Sequence, residues 1–338
     1  MDVDDIKSFY EESFVADMHI HSHTMLPFPF KQIYQFQHRK TLPPYIKFNQ
    51  LKAAGVDCAV ACAVGDKLVT KCYLFKNNYS AAITQLKKII SEINETEGKI
   101  VVSADEIEKY NKEGKVAFLL GIEGGDFLQG DIQNLKKVYD MGVRVICLIH
   151  YSKNDIGTPC AEWGHSDEKS KENEFSGLTN FGVEVVKEMN KLGMLIDVAH
   201  ASKQVTLDIA KVTKKPIISS HTGVKALHDF LRYLSDEEIE AIAKTGGCIG
   251  LWPFRHERSA KNISELVEQA KYIADLVGVE HVGIGTDMNG VPQTIEGYNS
   301  EFDLPKIAEA LFEVGFSESD VRKILGENFL HILHGILI

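Results

Sequence analysis

Residues 195–223, LIDVAHASKQVTLDIAKVTKKPIISSHTG, hold the unit from which the fold follows. An apolar run at 195–199 ends at His200, Ser202 stands where a helix over 203–212 needs its cap, and a second apolar run at 216–220 ends at His221. Neither run alternates polar with apolar residues, as expected of strands covered on both faces in a parallel sheet. Working outward, strand-like runs occur at 15–19, 57–64, 116–122, 143–149, 248–253 and 282–286. Helical patterns lie at 79–96, 132–141, 180–192, 236–244 and 263–277, and Ser235 before Asp236-Glu237-Glu238 matches a capping box. Eight strand units favour closure into a (β/α)8 TIM barrel over an open sheet. Two more helices, 304–314 and 318–333, extend the carboxyl end. No linker, low-complexity tract or internal repeat divides the chain, so residues 1–338 are expected to form one domain.

Composition narrows the partners. A hydrophobic fraction of 44% and a charged fraction of 25% are those of a globular protein. A net charge of −11 argues against nucleic acid, which needs a clustered basic surface. No uncharged stretch reaches the length of a membrane span, and the acidic start MDVDDIKSFYEESF is not a signal peptide, so no membrane partner is expected. The six cysteines have no disulfide-like or C-x-x-C spacing, which points to a reducing cytoplasm. Two polar stretches, 25–47 and 151–179, are too long for simple turns and are expected to be loops over the functional face.

The strand ends carry the chemistry. They read ADMHIHSH, GIEGG, IDVAH, SSHTG and GIGTD, placing His19, His21, Glu123, His200, His221 and Asp287 at the carboxyl ends of different strands. A parallel barrel gathers those ends at one mouth. Imidazoles and a carboxylate meeting in a dry pocket suit a divalent ion such as Zn²⁺. His19 and His21, two apart on a strand, share a face. Glu123 emerges from a buried strand, where a carboxylate without a partner is costly; its two oxygens suit it to bridge two cations. Asp287 is either a turn cap or an acid–base group. His150 ends the fourth strand, and Arg232 by itself reads as an ordinary cation. His165, His228, His256, His281, His331 and His334 are assigned to surface or packing.

In SGLTNFGVEVVKEMNKLGMLIDVAHAS (176–202), SSHTGVKALHDFLRYLSDEEIEAIAKTGGCIG, VGIGTDMNGV and ILGENFL, the chain resembles the renal or membrane dipeptidase family of binuclear zinc dipeptidases. The resemblance runs nearly end to end. It implies a (β/α)8 barrel with two Zn²⁺ ions, or one, and a homodimer. His19 and His21 would hold one ion, His200 and His221 the other, and Glu123 would bridge them. Asp287 would be the acid–base residue, His150 would lie near the scissile carbonyl, and Arg232 would receive the substrate carboxylate. The family's opening motif carries a carboxylate two residues after its histidine, where this chain has His21. The substitution makes the site one unit more positive.

The function so implied is hydrolysis of dipeptides, or similar short peptide-like amides, by a hydroxide that bridges the metals. Because H-x-H is also the opening of the wider amidohydrolase group, the alternative is reaction at a cyclic amide, lactone or aminated ring. A barrel serving only as a scaffold is disfavoured by the joint presence of Glu123, His200, His221 and Asp287.

Overall fold

The computed structural model describes residues 3–161 and 177–337. Nine strands, all parallel, occur in chain order as β1 (Ala16–His21), β2 (Cys58–Val64), β3 (Lys99–Ile100), β4 (Ala117–Glu123), β5 (Val143–Cys147), β6 (Leu195–Asp197), β7 (Ile217–Thr222), β8 (Cys248–Leu251) and β9 (Val282–Ile284). All but β3 form the wall in the order β1-β2-β4-β5-β6-β7-β8-β9, while β3 adds a short edge to β4. The strands are buried along their length, as their unbroken Val, Ile, Leu and Ala runs require.

The barrel closes at a seam between β1 and the segment after β9. There the Asp287 amide donates to the His19 carbonyl at 2.9 Å and the His21 amide to the Met288 carbonyl at 3.0 Å. The buried Asp17 carboxylate stitches the same seam, accepting from the amides of His19 and Thr286 and from the Thr286 hydroxyl at 2.5 Å. Elsewhere strands approach so closely that only glycine fits: a Cβ on Gly250 would lie 1.8 Å from the Ser220 carbonyl oxygen.

Helices surround this wall: α1 (Val3–Glu12), α2 (Phe30–Gln37), α3 (Lys67–Thr70), α4 (Asn78–Asn94), α5 (Ala104–Lys112), α6 (Gln133–Asp140), α7 (Asn180–Leu192), α8 (Lys203–Val212), α9 (Asp236–Lys244), α10 (Ile263–Val277), α11 (Leu304–Glu313), α12 (Glu318–Arg322) and α13 (Asn328–Ile336). Ala82, Leu86, Ile89 and Ile93 of α4, spaced three or four apart, show how each buries one stripe. The Ser202 hydroxyl accepts from the Val205 amide, and Ser235 with Glu238 forms the capping box. Phe329, Ile332, Leu333 and Ile336 of α13 pack with Met18, Val60, Leu119 and Ile218, so apolar side chains stopper the end opposite the mouth.

The (β/α)8 expectation is met, with local corrections. The stretch 25–47 is not a plain loop, because it contains α2. The terminal helix expected over 318–333 is interrupted by a wider turn at Lys323–Glu327, where Gly326 leaves helical geometry. Helices α1, α3 and α5 and strand β3 were not expected; α3 and β3 are too short to show a period, and α1 and α5 carry only a narrow apolar stripe among charged residues. Of the loop at 151–179, residues 162–176, including His165, lie outside the described residues. The part before them reaches the mouth, where the Cys160 amide donates to the His200 carbonyl at 2.8 Å. Among the described residues no helix is long and apolar enough to cross a membrane.

Candidate metal centre

Six strand-end groups converge on Glu123. The β1–β2 register slips between Asp17 and Ile20, and after that irregularity His19 and His21 both face the barrel interior, their Nε2 atoms 3.2 Å apart. Glu123 is the last residue of β4 and His221 lies within β7. His150, His200 and Asp287 sit three residues beyond the ends of β5, β6 and β9, so they occupy loops rather than the strand ends anticipated. His200 and Asp287 also have left-handed backbone, φ 66° and 55°. Non-glycine residues held there cost free energy and cluster at functional sites.

The distances set Glu123 among all the rings, with His19 Nε2 3.6 Å from its Oε1. Glu123 Oε1 lies 3.2 Å from His200 Nε2 and 3.5 Å from His221 Nε2, which are themselves 3.0 Å apart. Glu123 Oε2 lies 3.3 Å from His21 Nε2 and 3.5 Å from His150 Nε2. Asp287 Oδ1 is 3.3 Å from His21 Nε2. Clusters able to hold an ion among the described residues are His19–His21–Glu123, Glu123–His150–His200 and His19–Asp197–His221.

The donor set fits a cation. His21 Nδ1 lies 3.0 Å from the Cys62 carbonyl, which only accepts, so Nδ1 carries a proton and Nε2 is the atom turned inward. There it meets the Glu123 and Asp287 carboxylates, which only accept. His221 Nδ1 is likewise engaged by the Ser220 hydroxyl at 2.8 Å, which donates onward to Asp197 at 2.5 Å. Lone pairs pointed at one another repel unless a proton or a metal lies between them. Nitrogens bonded tetrahedrally at ~2.0–2.1 Å to one ion stand roughly 3.3 Å apart, close to the spacing of both histidine pairs.

Burial sets the charge states. It pushes His200 and His221 far below the usual imidazole range and His19 down to about 3, Glu123 only partly opposing the last. These three are neutral, as ligands must be. For His21 burial acts the same way, but the Asp287 and Glu123 carboxylates outweigh it and push the ring up to about 10. Burial raises Asp287, with His21 opposing.

Arg232 comes to the same mouth. It is buried, its Nη2 donates to the His221 carbonyl at 3.1 Å, and its guanidinium lies over Trp252 at 4.9 Å. Its Nε has no hydrogen-bond partner. Arg232 and His200 line a cavity of about 400 Å³ with Cys160 and Tyr233. The remaining described histidines stay out of this cluster: His228 pairs with Glu265, His256 stacks on Phe230, His281 binds the Gly247 carbonyl and His334 meets Glu108.

Sequence reasoning missed several residues. Asp66 caps α3 and holds His150 Nδ1 at 2.6 Å. Its signal was present, since AVACAVGD repeats the apolar-run-then-acid pattern of GIEGG and GIGTD. Asp197, within IDVAH itself, supports Ser220 and thereby His221. Trp252, between His221 and Arg232, left no signal, because an aromatic after a strand is ordinarily core.

The family model for membrane dipeptidase (peptidase family M19) matches residues 4–336. The chain belongs to the membrane dipeptidase family. A membrane dipeptidase of this type is a metal-dependent hydrolase of dipeptides, which accounts for a buried histidine and carboxylate cluster at a barrel mouth. Solved structures agree on the fold. An amidohydrolase from Pseudomonas aeruginosa superposes with a TM-score of 0.77 at 22% identity, covering 98% of this chain and 99% of that one. The probable dipeptidase PvdM from the same organism gives 0.80 at 20% identity, covering 99% and 98%. A metallo peptidase from Rhodobacter sphaeroides, liganded with a phosphinate mimic of the dipeptide L-Ala-D-Ala, gives 0.79 at 18% identity, covering 96% and 100%.

Proposed function

We propose that this metallodipeptidase cleaves free dipeptides and similar short amides with two Zn²⁺ ions, His19 and His21 serving one, His200 and His221 the other, and Glu123 both. The observation that carries this reading is the place of Glu123 between the histidine pairs, with Oε1 within 3.6 Å of His19, His200 and His221 and Oε2 3.3 Å from His21. Four imidazoles and a carboxylate suit zinc better than the harder magnesium or calcium. When bound, the ions supply a water ionised near neutral pH and polarise the amide carbonyl.

The chain's own groups do the rest. Asp287 Oδ1 faces the His21 side of the cluster, where it takes the attacking water's proton and passes it to the leaving amine. Asp66 accepts the His150 Nδ1 proton at 2.6 Å and fixes the ring with Nε2 toward the centre. Burial disfavours a charged His150, while Glu123 and Asp66 together raise it; with a proton on Nε2 the ring is a donor to the developing oxyanion. Arg232, aromatic-backed and with Nε unspent, receives the terminal carboxylate. The clamp selects free dipeptides over longer chains.

Arg232→Met tests this. KM for dipeptides should rise at least ~10-fold, while amides lacking the carboxylate are unaffected, because a charge-assisted pair contributes about 1.5–3 kcal/mol. Unchanged dipeptide hydrolysis would favour reaction at a cyclic amide, lactone or aminated ring, the reading that His21 supports. A homodimer and a reducing compartment complete the proposal; the six free cysteines suit the latter. Light scattering at working concentration checks the former.

A further inference from the structure

The first two loops above the mouth differ in charge from the rest of the molecule. Residues 25–47 and 67–88 together hold nine lysines and arginines and no aspartate or glutamate, in a chain of net charge −11. The loops join in space: the Tyr73 hydroxyl donates to the Met25 carbonyl at 2.6 Å and Lys88 Nζ to the Thr24 carbonyl at 3.2 Å. His23 feels Lys31, Lys47 and Lys88 together, and the one acid beside them, Glu92, is engaged by the Ser22 and Thr24 hydroxyls.

The same loops expose apolar side chains. Phe28 (81%), Ile33, Phe36 (68%), Leu74 and Phe75 (105%) are five of the eight large apolar residues exposed among those described. Helix α2, which carries two of them, buries no residue against the barrel. Phe75 has φ 66°, a conformation costly for a bulky residue, and in it the ring stands fully in water. Among the described residues the ring is covered by no neighbour.

We infer that this patch docks on an anionic lipid surface, the aromatic side chains entering the headgroup region and the cations meeting lipid phosphates. Protruding rings on loops rich in lysine and arginine suit a soft charged interface. A second copy docked face to face is disfavoured, because a two-fold contact would set each basic patch against itself. No spanning helix is needed, and the sequence-based expectation of no membrane partner is revised accordingly. The attachment is independent of the reaction proposed above.

The experiment is cosedimentation of the full chain with phosphatidylcholine vesicles, with and without about one-third phosphatidylglycerol. Binding should require the anionic lipid and fall as salt is raised. Lys71→Gln and Lys76→Gln should each weaken it about fivefold. Phe36→Gln with Phe75→Asn should weaken it at least tenfold, asparagine being chosen because it tolerates the left-handed backbone. Dipeptidase activity without vesicles should be unchanged in all four substitutions, which checks folding. Absence of binding to anionic vesicles overturns the inference. So does binding that ignores loss of the two rings, which would be plain charge attraction, or a dimer in solution that the ring substitutions dissolve.

Discussion

On the β1 side of Glu123, His21 has its outer nitrogen fixed by the Cys62 carbonyl and meets a second carboxylate, Asp287, at 3.3 Å. On the β6–β7 side, His221 is fixed through Ser220 and Asp197, but His200 Nδ1 has no hydrogen-bond partner, and among the described residues no carboxylate besides Glu123 approaches either Nε2 within ion-pair range. On the β1 side His19 Nδ1 also has a partner, the Ser220 hydroxyl at 3.4 Å, so His200 is the ring left untethered, and the pairs differ in local charge. The side where the family motif would put an acid has a histidine, yet Asp287 brings negative charge back beside it. The cost is that Asp287, which we assign to proton transfer, stands against a ligand ring.

The largest effect expected is for Glu123→Gln, because both sides share this residue. Bound metal should fall below one equivalent by elemental analysis, and kcat/KM should drop by roughly 1,000-fold or more, the several kcal/mol that ion charge supplies. Retention of both ions would show that the two sides are not joined through Glu123. Ser220→Ala acts chiefly on one side, its hydroxyl lying 2.8 Å from His221 Nδ1 but 3.4 Å from His19 Nδ1: affinity for one equivalent should fall about 10–100-fold while the other falls less. Equal loss from both would erase the distinction. His21→Asp asks whether Asp287 already supplies the missing charge; metal titration should show the β1-side ion tightened by less than ~10-fold. A larger gain would mean that Asp287 contributes little there.

Asp126 is a control outside both sides. Burial, followed by Asp66, raises its carboxyl to about 6 despite Ser152, Lys67 and Asn154. The folded protein therefore keeps a proton that the unfolded chain releases between about pH 4 and 6. Stability from this group is full below that window and is lost as pH rises through 6. Asp126→Asn should recover up to roughly 3 kcal/mol at pH 7 and little at pH 4, read as unfolding midpoints against pH. A gain of equal size at both would assign the effect to packing.

How much of this was legible in the sequence depends on what each residue leans on. The eight barrel strands were readable because burial on both faces leaves apolar runs without polar interruption, as in AFLLGIE. His19, His21, Glu123, His200, His221 and Asp287 stood out as polar groups directly after such runs, and the structure brings all six together. Helices α1, α2 and α5 were not picked out although their apolar positions recur at helical spacing, because each spans only two to three turns. Nor could the strand pattern show that His150, His200 and Asp287 sit past the ladder in turns, since that depends on where hydrogen bonding stops. The tethers were hidden for another reason. A backbone carbonyl such as that of Cys62 exists at every residue, and only folding decides which one faces a ring.

The seam between β1 and β9 has a consequence for how the enzyme matures. His19 and His21 leave the ribosome early, whereas their neighbour Asp287 and the Thr286 hydroxyl that locks Asp17 arrive some 265 residues later. Until the last strand docks, the first histidines have no finished cage, so a nascent or carboxyl-truncated chain is an inert one, and the cell is spared a half-built hydrolase.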